Sequence, residues 1–314
     1  MSKAKKRLLI FGLSVLSIII GAFYLVPKYA VIDNPDVVVS NFAAYDLARA
    51  VVKDEKQVYL LLAPGAELHN YEPSPQDLIR MDEAKLFIYN GGESEDWAEH
   101  VLSSGAFETT DTLRLMDLID LKEEEIVEGM VAEDEETDEG EPEYDEHIWT
   151  SPLNMIALLD GVADKIRDAG IDVDEEKLAD YRKQLQDVDN ELHTIVDGAK
   201  RKEIIVGDRF PFRYFADELG LKYYAAYPGC AEETEVNART VAFLEERIRE
   251  DEIPVVFKTE LSAGWIADVI AKETNTEMLT LYAAHNVSRD DFEKGVTYVD
   301  LMRRNVEMLR KALN

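Results

Sequence analysis

Residues 174–200 read DEEKLADYRKQLQDVDNELHTIVDGAK, and the fold turns on this stretch. Leu178, Tyr181, Leu185, Val188, Leu192 and Ile195 recur at steps of three or four, which is one face of an α-helix. No Gly or Pro interrupts the pattern before Gly198. A helix of ~27 residues is roughly 40 Å long, enough to join two lobes as a stiff spacer. The competing reading is an ordinary surface helix of the preceding half. The flanking sequence favours the spacer. On the N-terminal side, Val37-Val38-Val39, residues 58–62 (VYLLL) and residues 86–89 (LFIY) are short apolar runs bounded by polar or turn residues, as buried strands are. Between the last two, residues 74–84 open on Ser74-Pro75, with Ser as N-cap and Pro at the first helical position. On the C-terminal side the alternation repeats. Ile204-Ile205-Val206 precedes a helix near residues 212–219 stopped by Gly220, Tyr223-Tyr224 precedes one at about 236–249, and Val255-Val256-Phe257 precedes one at 263–274. Strands alternating with helices make parallel sheets. The expected fold class is α/β, with two α/β lobes of parallel sheet joined by one long helix. The divisions are an N-terminal segment 1–30, a first lobe 31–172, the linking helix 173–201 and a second lobe 202–314.

The chain has 314 residues, with 34 Lys and Arg against 65 Asp and Glu, a formal net charge of −31. A surface this acidic repels phosphate backbones and excludes sequence-independent nucleic-acid binding; it suits solubility and the attraction of cations. Residues 122–146 hold 14 of the acidic residues and one Lys, hence −13 of the −31. Such a segment is expected to be a solvated, mobile loop. Its functional reading is a weak cation collector, its plain one a solubilising insertion. A single cysteine, Cys230, rules out an internal disulfide and cysteine-based zinc fingers. At the N-terminus, Lys3, Lys5, Lys6 and Arg7 precede 19 uncharged, mostly apolar residues, 8–26. Such a run spans roughly 28 Å, close to one bilayer core, and the basic flank keeps the N-terminus inside while the rest is exported. A cleaved signal peptide and an uncleaved signal anchor both fit. The length of the run and the lack of a clear A-x-A site favour the anchor. With no Cys near it, lipid modification is excluded.

Chemistry must come from few residues. Of five histidines, His69, His147 and His285 fall in loops beside strand ends or the acidic segment, whereas His100 and His193 sit among charged helical residues and read as surface groups. Loops at the carboxyl ends of parallel strands are where α/β proteins place ligands. Taken singly, each of these histidines is as well explained by a structural role, because dispersed imidazoles lack the spacing of a metal motif. No nucleophile elbow, H-E-x-x-H, Walker loop or G-x-G-x-x-G occurs. Gly91-Gly92 leads into Glu93, Glu95 and Asp96, an unfavourable seat for phosphate.

Four stretches carry a resemblance: GAELHNYEPSPQDL at 65–78, AKLFIYNGGESEDW at 84–97, DEHIWTSPLNM at 145–155 and VTYVDLMRRNVEMLRKAL at 296–313. In this order, and over nearly all of residues 33–314, the chain resembles the zinc/manganese-type solute-binding proteins of ABC importers, the ZnuA/TroA-like cluster A-I. The resemblance implies two α/β lobes, one long joining helix and a metal site in the cleft between lobes. It also implies a permease and its ATPase as partners, and no enzymatic activity. It places the first ligand at His69 and the second at His147. The family's third histidine is replaced by Arg209, which has no acceptor to offer a metal, and its fourth ligand falls near Tyr282, where no ligand stands. His285, three residues on, is the expected replacement. Glu233 and Cys230, followed by Asp208 and Glu260, are the candidates for the remaining position, and Arg209 is expected to orient a carboxylate. Three imidazoles with a carboxylate or thiolate favour Zn²⁺; a carboxylate-rich site would favour Mn²⁺. The rival readings are a surface adhesin of the same family and a secreted zinc metalloenzyme, for which no motif is present.

Overall fold

The computed structural model describes residues 34–105, 107, 109–130, 143–229 and 237–314. The apolar run 8–26, the middle of the acidic segment, Cys230 and Glu233 therefore lie outside the described residues. Among the described residues no helix is long and apolar enough to cross a membrane.

Two four-stranded parallel sheets form the frame. The first contains β1 (Val37–Val39), β2 (Val58–Leu60), β3 (Leu86–Tyr89) and β4 (Asp111–Arg114) in the order β2-β1-β3-β4. The second contains β5 (Glu203–Arg209), β6 (Lys222–Tyr227), β7 (Val255–Thr259) and β8 (Glu277–Leu281) in the order β6-β5-β7-β8. In each sheet the first strand is central, pairing on one side with its successor and on the other with the third strand; Val37 lies opposite both Val58 and Leu86. The chain thus reverses its direction of travel across each sheet. Loops leaving the strands' carboxyl ends at such a reversal frame a crevice. The runs of β-branched residues form the middle of the sheets because both faces are covered, and Val37, Val38 and Val39 are fully buried. β4 was not expected. Its sequence, DTLR, has no apolar run because it is an edge strand whose first two residues are exposed.

Helices cover both sheets: α1 (Phe42–Val51), α2 (Pro75–Glu83), α3 (Asp96–Ser103), α4 (Pro152–Asp168), α5 (Glu175–Asp197), α6 (Arg213–Leu219), α7 (Ala238–Glu250), α8 (Trp265–Thr274), α9 (Arg289–Glu293) and α10 (Tyr298–Ala312). Their starts follow local chemistry. Ser74 and Asp77 cap α2 reciprocally, and Thr297 and Asp300 do the same for α10. The joining helix α5 has 23 residues, four fewer than its stretch of sequence, because Asp174 caps its first amides and Gly198 ends it. Leu178, Tyr181, Leu185, Val188 and Leu192 are buried as expected, while the stripe closes on Val196 rather than Ile195.

The joining helix is not a bare spacer. It packs against α4 and α10, and α10 returns from the second sheet to the first. Tyr298 N–H donates to Asp46 of α1 at 2.9 Å, and Arg49 donates to the Val296 carbonyl at 2.7 Å. Asp46 also accepts from the Tyr181 hydroxyl. One apolar core consequently runs without a break from Val37 and Leu47 through Leu185 and Leu192 to Phe215 and Leu309.

The acidic segment departs from expectation at its ends. Lys122 and Asp145, and Glu124 and Glu143, are joined by backbone hydrogen bonds that close its base. Glu125 accepts from the Tyr223 hydroxyl and pairs with Arg213 at 3.4 Å, and Lys122 pairs with Asp217. Its flanks are therefore docked on the second lobe, and the mobile-loop expectation does not hold for residues 122–130 and 143–144.

Candidate metal centre

Three loops deliver the three singled-out histidines to one place. His69 follows β2, His147 precedes a single 3-10 turn (Ile148–Thr150) leading into α4, and His285 follows β8. One ring nitrogen from each lies within 4.8 Å of the others. Ring centroids are 4.7 Å apart for His147 and His285, 5.7 Å for His69 and His285, and 5.8 Å for His69 and His147. A cleft of about 300 Å³ opens on His69 and His285 and is also lined by Glu67, Asp208, Arg209 and Glu260, with the exposed Trp265 among its wall residues; His147 lies fully buried behind them.

Each loop is fixed by bonds that the side chains' identities require. The His147 loop is held from two sides: Asn90, just after β3, donates to the Glu146 carbonyl at 2.8 Å, and the Tyr214 hydroxyl of α6 donates to the Asp145 carbonyl at 2.9 Å. Trp149 donates its indole N–H to the Ala283 carbonyl at 2.8 Å, linking this loop to the one bearing His285. Asn286 reaches to the first lobe and donates to the carbonyls of Ala63 and Ala66, at 2.8 and 3.0 Å, just before His69. Ala284 takes a left-handed φ of 59°, a conformation that costs a non-glycine residue of order 1 kcal/mol. The turn is held by Glu260, whose carboxylate accepts from the backbone of Ala283 at 2.8 Å and of His285 at 3.2 Å. At Gly229 an added Cβ would lie 3.3 Å from both the His147 ring and Asp145, and 2.9 Å from the Phe210 carbonyl, so only glycine lets that backbone approach the site.

Each imidazole also has a carboxylate on one side and a bare nitrogen on the other. Glu67 lies 2.8 Å from Nδ1 of His69, Asp145 3.1 Å from Nδ1 of His147, and Glu260 3.9 Å from Nδ1 of His285. The Nε2 atoms of all three are buried without a hydrogen-bond partner. At His69 and His147 the hydrogen-bonded carboxylate sets the tautomer that leaves Nε2 as a lone-pair donor, the arrangement that metal-binding histidines use; at His285 the carboxylate is near but beyond hydrogen-bond reach. Buried polar atoms left unpaired cost free energy, and a shared cation removes that cost at all three.

The electrostatics are divided. Burial depresses His285, and the neighbouring His147, His69 and Arg209 depress it further, well below the ordinary imidazole value. Burial works against the charged form of His147, but Asp145, Glu146 and Glu124 together outweigh it and leave the group raised. Glu67 is lowered, mainly by its hydrogen bond with His69. Glu260 is raised to about 7 by burial, although backbone N–H groups pull it down.

The other expected residues stand as follows. Asp208 accepts from the Arg209 and Thr259 backbone N–H groups and from the Thr259 hydroxyl, so both its oxygens are engaged. Glu260 is likewise occupied in holding the His285 turn. Arg209 lines the cleft, and its charge acts on Glu67 and His285. His100 is exposed on α3, whereas His193, read as a surface group, is partly enclosed near Asp189 and Glu218.

Glu146 went unnoticed in the sequence. Its side chain is 1% exposed, its Oε1 is unpartnered, and that oxygen lies 3.5 Å from Nε2 of His69. The other oxygen accepts from Ser94 N–H at 3.1 Å. The available signal was its position directly before His147, but it was one of 14 acidic residues in a run read as solvated.

A family described as "ZnuA: Zinc-uptake complex component A periplasmic" matches residues 37–312. The chain is similar to the high-affinity zinc uptake system protein ZnuA of Bacillus subtilis, 29% identical over 287 residues that make up 90% of this chain and 88% of that protein. It is 25% identical to the zinc-binding lipoprotein AdcA of Streptococcus pneumoniae over 88% of this chain, but spans only 55% of AdcA's length. Among solved structures, the metal-dependent lipoprotein YcdH from Bacillus subtilis matches with a TM-score of 0.72 and 26% identity, covering 88% of this chain and 99% of that one. The Zn(II)-bound ZnuA-like domain of Streptococcus pneumoniae AdcA shares the fold at a TM-score of 0.70 and 22% identity, over 90% and 99% of the two chains.

Proposed function

The chain belongs to the ZnuA family of zinc-uptake components, and from that premise we propose that it captures Zn²⁺ outside the cytoplasmic membrane and hands it to the permease and ATPase of an ABC importer. The observation that carries this reading is the set of three buried, unpartnered Nε2 atoms, each backed by a carboxylate. His69 and His147 come from the first lobe and His285 from the second, so one ion draws on both. Three imidazoles favour Zn²⁺ over Mn²⁺. For a tetrahedral ion with ligands ~2.1 Å away, neighbouring ligand atoms lie about 3.4 Å apart. The 3.5 Å between Glu146 Oε1 and His69 Nε2 suits that spacing. We assign Glu146 as the nearest described candidate for the fourth donor. Cys230 follows directly on Gly229, which abuts His147, Glu233 stands three residues further along the chain, and both remain candidates for the same position. The run 8–26 is assigned the role of membrane tether. Capture and release need no covalent step.

The test is calorimetric titration of the metal-stripped full-length chain with Zn²⁺ and Mn²⁺. Zn²⁺ is expected to bind more tightly than Mn²⁺. His69→Ala, His147→Ala and His285→Ala are each expected to weaken Zn²⁺ at the cleft at least ~100-fold, about 2.7 kcal/mol. Wild-type affinity in His285→Ala would sink the rebuilt site.

A further inference from the structure

A second group of ligand-type side chains lies away from the cleft, where α5 meets α6. Asp189 and His193 are four residues apart on α5 and so share a face; Glu218 comes from the last turn of α6. One ligand atom from each lies within 4.8 Å of the other two. His193 Nε2 is 3.5 Å from Asp189 Oδ1 and 3.9 Å from Glu218 Oε1.

The two carboxylates are built alike. Each side chain is 6% exposed. Asp189 Oδ2 accepts from Gln186 at 3.0 Å, while Oδ1 faces the group with no partner. Glu218 Oε2 accepts from the Ser151 hydroxyl and the Leu153 N–H at the start of α4, while Oε1 faces the group with no partner. One oxygen of each is thus anchored and the other left bare. Two buried carboxylates at close range cannot both stay ionised unless a cation or a shared proton lies between them. Burial raises Glu218 to about 8, with the hydrogen bond and charge of Asp189 adding to the shift and the Ser151 hydroxyl opposing it. A shared proton would quiet two of the oxygens, but it leaves His193 beyond hydrogen-bond reach of both. A metal ion uses all three groups. The two measured separations lie near the ~3.4 Å edge of a tetrahedral zinc site.

We propose that Asp189, His193 and Glu218 form a second divalent transition-metal site, with Zn²⁺ as its natural ligand and water in the fourth position, that staples the joining helix to α6 and the start of α4. The half-exposed imidazole leaves a way in for the ion. The staple bears on the cleft because α6 begins four residues after Arg209, at the end of β5.

The second site shares no residue with the cleft, and one set of titrations separates the two. With Zn²⁺ as probe, the full-length chain is expected to take up two ions and the His193→Ala variant one. The triple variant His69→Ala, His147→Ala, His285→Ala is expected to keep one ion, which Co²⁺ substitution would report as visible absorption that disappears when His193→Ala is added. Equal stoichiometry in wild type and His193→Ala overturns the second site, as does a folded triple variant that binds no Zn²⁺, since the carboxylates then hold only a proton. Loss of one ion in the His193→Ala variant with none lost in the triple variant would instead retain this site and remove the cleft.

Discussion

Arg209 stands where the family resemblance implies a histidine ligand, and it changes the site's electrostatics as well as its ligand count. Its fixed charge helps to keep the His285 imidazole deprotonated, which favours metal, yet it also repels the incoming cation. The second effect acts on a doubly charged ion, so Arg209→Ala is expected to tighten Zn²⁺ several-fold, about 1 kcal/mol, read by competition with a calibrated chelator. Glu146 acts in the opposite sense. Glu146→Gln keeps the shape and the acceptor but removes the charge, and a 10–100-fold loss of Zn²⁺ affinity is expected, in line with the usual effect of groups that tune a metal site. Glu95 serves structure. It is fully buried, accepts from the backbone of Asn90 and Gly91 and from the Asn41 side chain, and is raised to about 7 by burial. A carboxyl whose folded-state value exceeds its unfolded value near 4.5 is protonated in the folded protein while the unfolded chain has already ionised. Its contribution to stability is present below pH 4.5, declines as pH rises, and is lost above about 7. The loss amounts to about 3 kcal/mol at most. Urea unfolding of the metal-free protein between pH 5 and 8 is expected to show this decline, and Glu95→Gln to flatten it.

At the scale of elements, α5 carries the largest structural load. Leu185 and Leu192 are fully buried on the stripe that faces α4 and α10. Leu185→Ala is expected to cost about 2–5 kcal/mol, the range for a cavity in a close-packed core, and to lower the denaturant midpoint without altering zinc stoichiometry. The Asp174 cap bonds two amides in a partly exposed position, so Asp174→Ala is expected to cost only about 1 kcal/mol. This helix was legible because a 3.6-residue period persists over six turns. The edge strand β4 was not, because its pattern is neither apolar nor strictly alternating. The flanks of the acidic segment were misread for a related reason: composition reports mean solvation, while their docking depends on particular partners such as Tyr223 and Arg213, which are distant in sequence.

For the molecule as a whole, the −31 charge sets how fast a cation arrives rather than how tightly it is held. Removing residues 131–142 deletes seven acidic side chains. The base of that excursion is already closed by the pairing of residues 122–124 with 143–145, so folding should survive. Stopped-flow capture of Zn²⁺ is expected to slow and to lose part of its salt dependence, with the equilibrium affinity little changed. Metal also bears on stability. An ion that binds only the folded chain adds about 2.7 kcal/mol at a hundredfold excess over its dissociation constant.

The sequence by itself determined the two blocks of parallel sheet, the helix between them and the three histidines worth following. Those rest on local periodicity, capping and loop position, which a short window contains. Only the tertiary structure decided that three loops from opposite ends of the chain meet within 4.8 Å, that Glu146 turns inward and that Asp208 and Glu260 are engaged as braces. It also decided that α10 and α5 bind the two sheets into one core. The physical reason is the same throughout: whether a polar side chain is solvated, braced or left bare depends on which distant backbone groups reach it first.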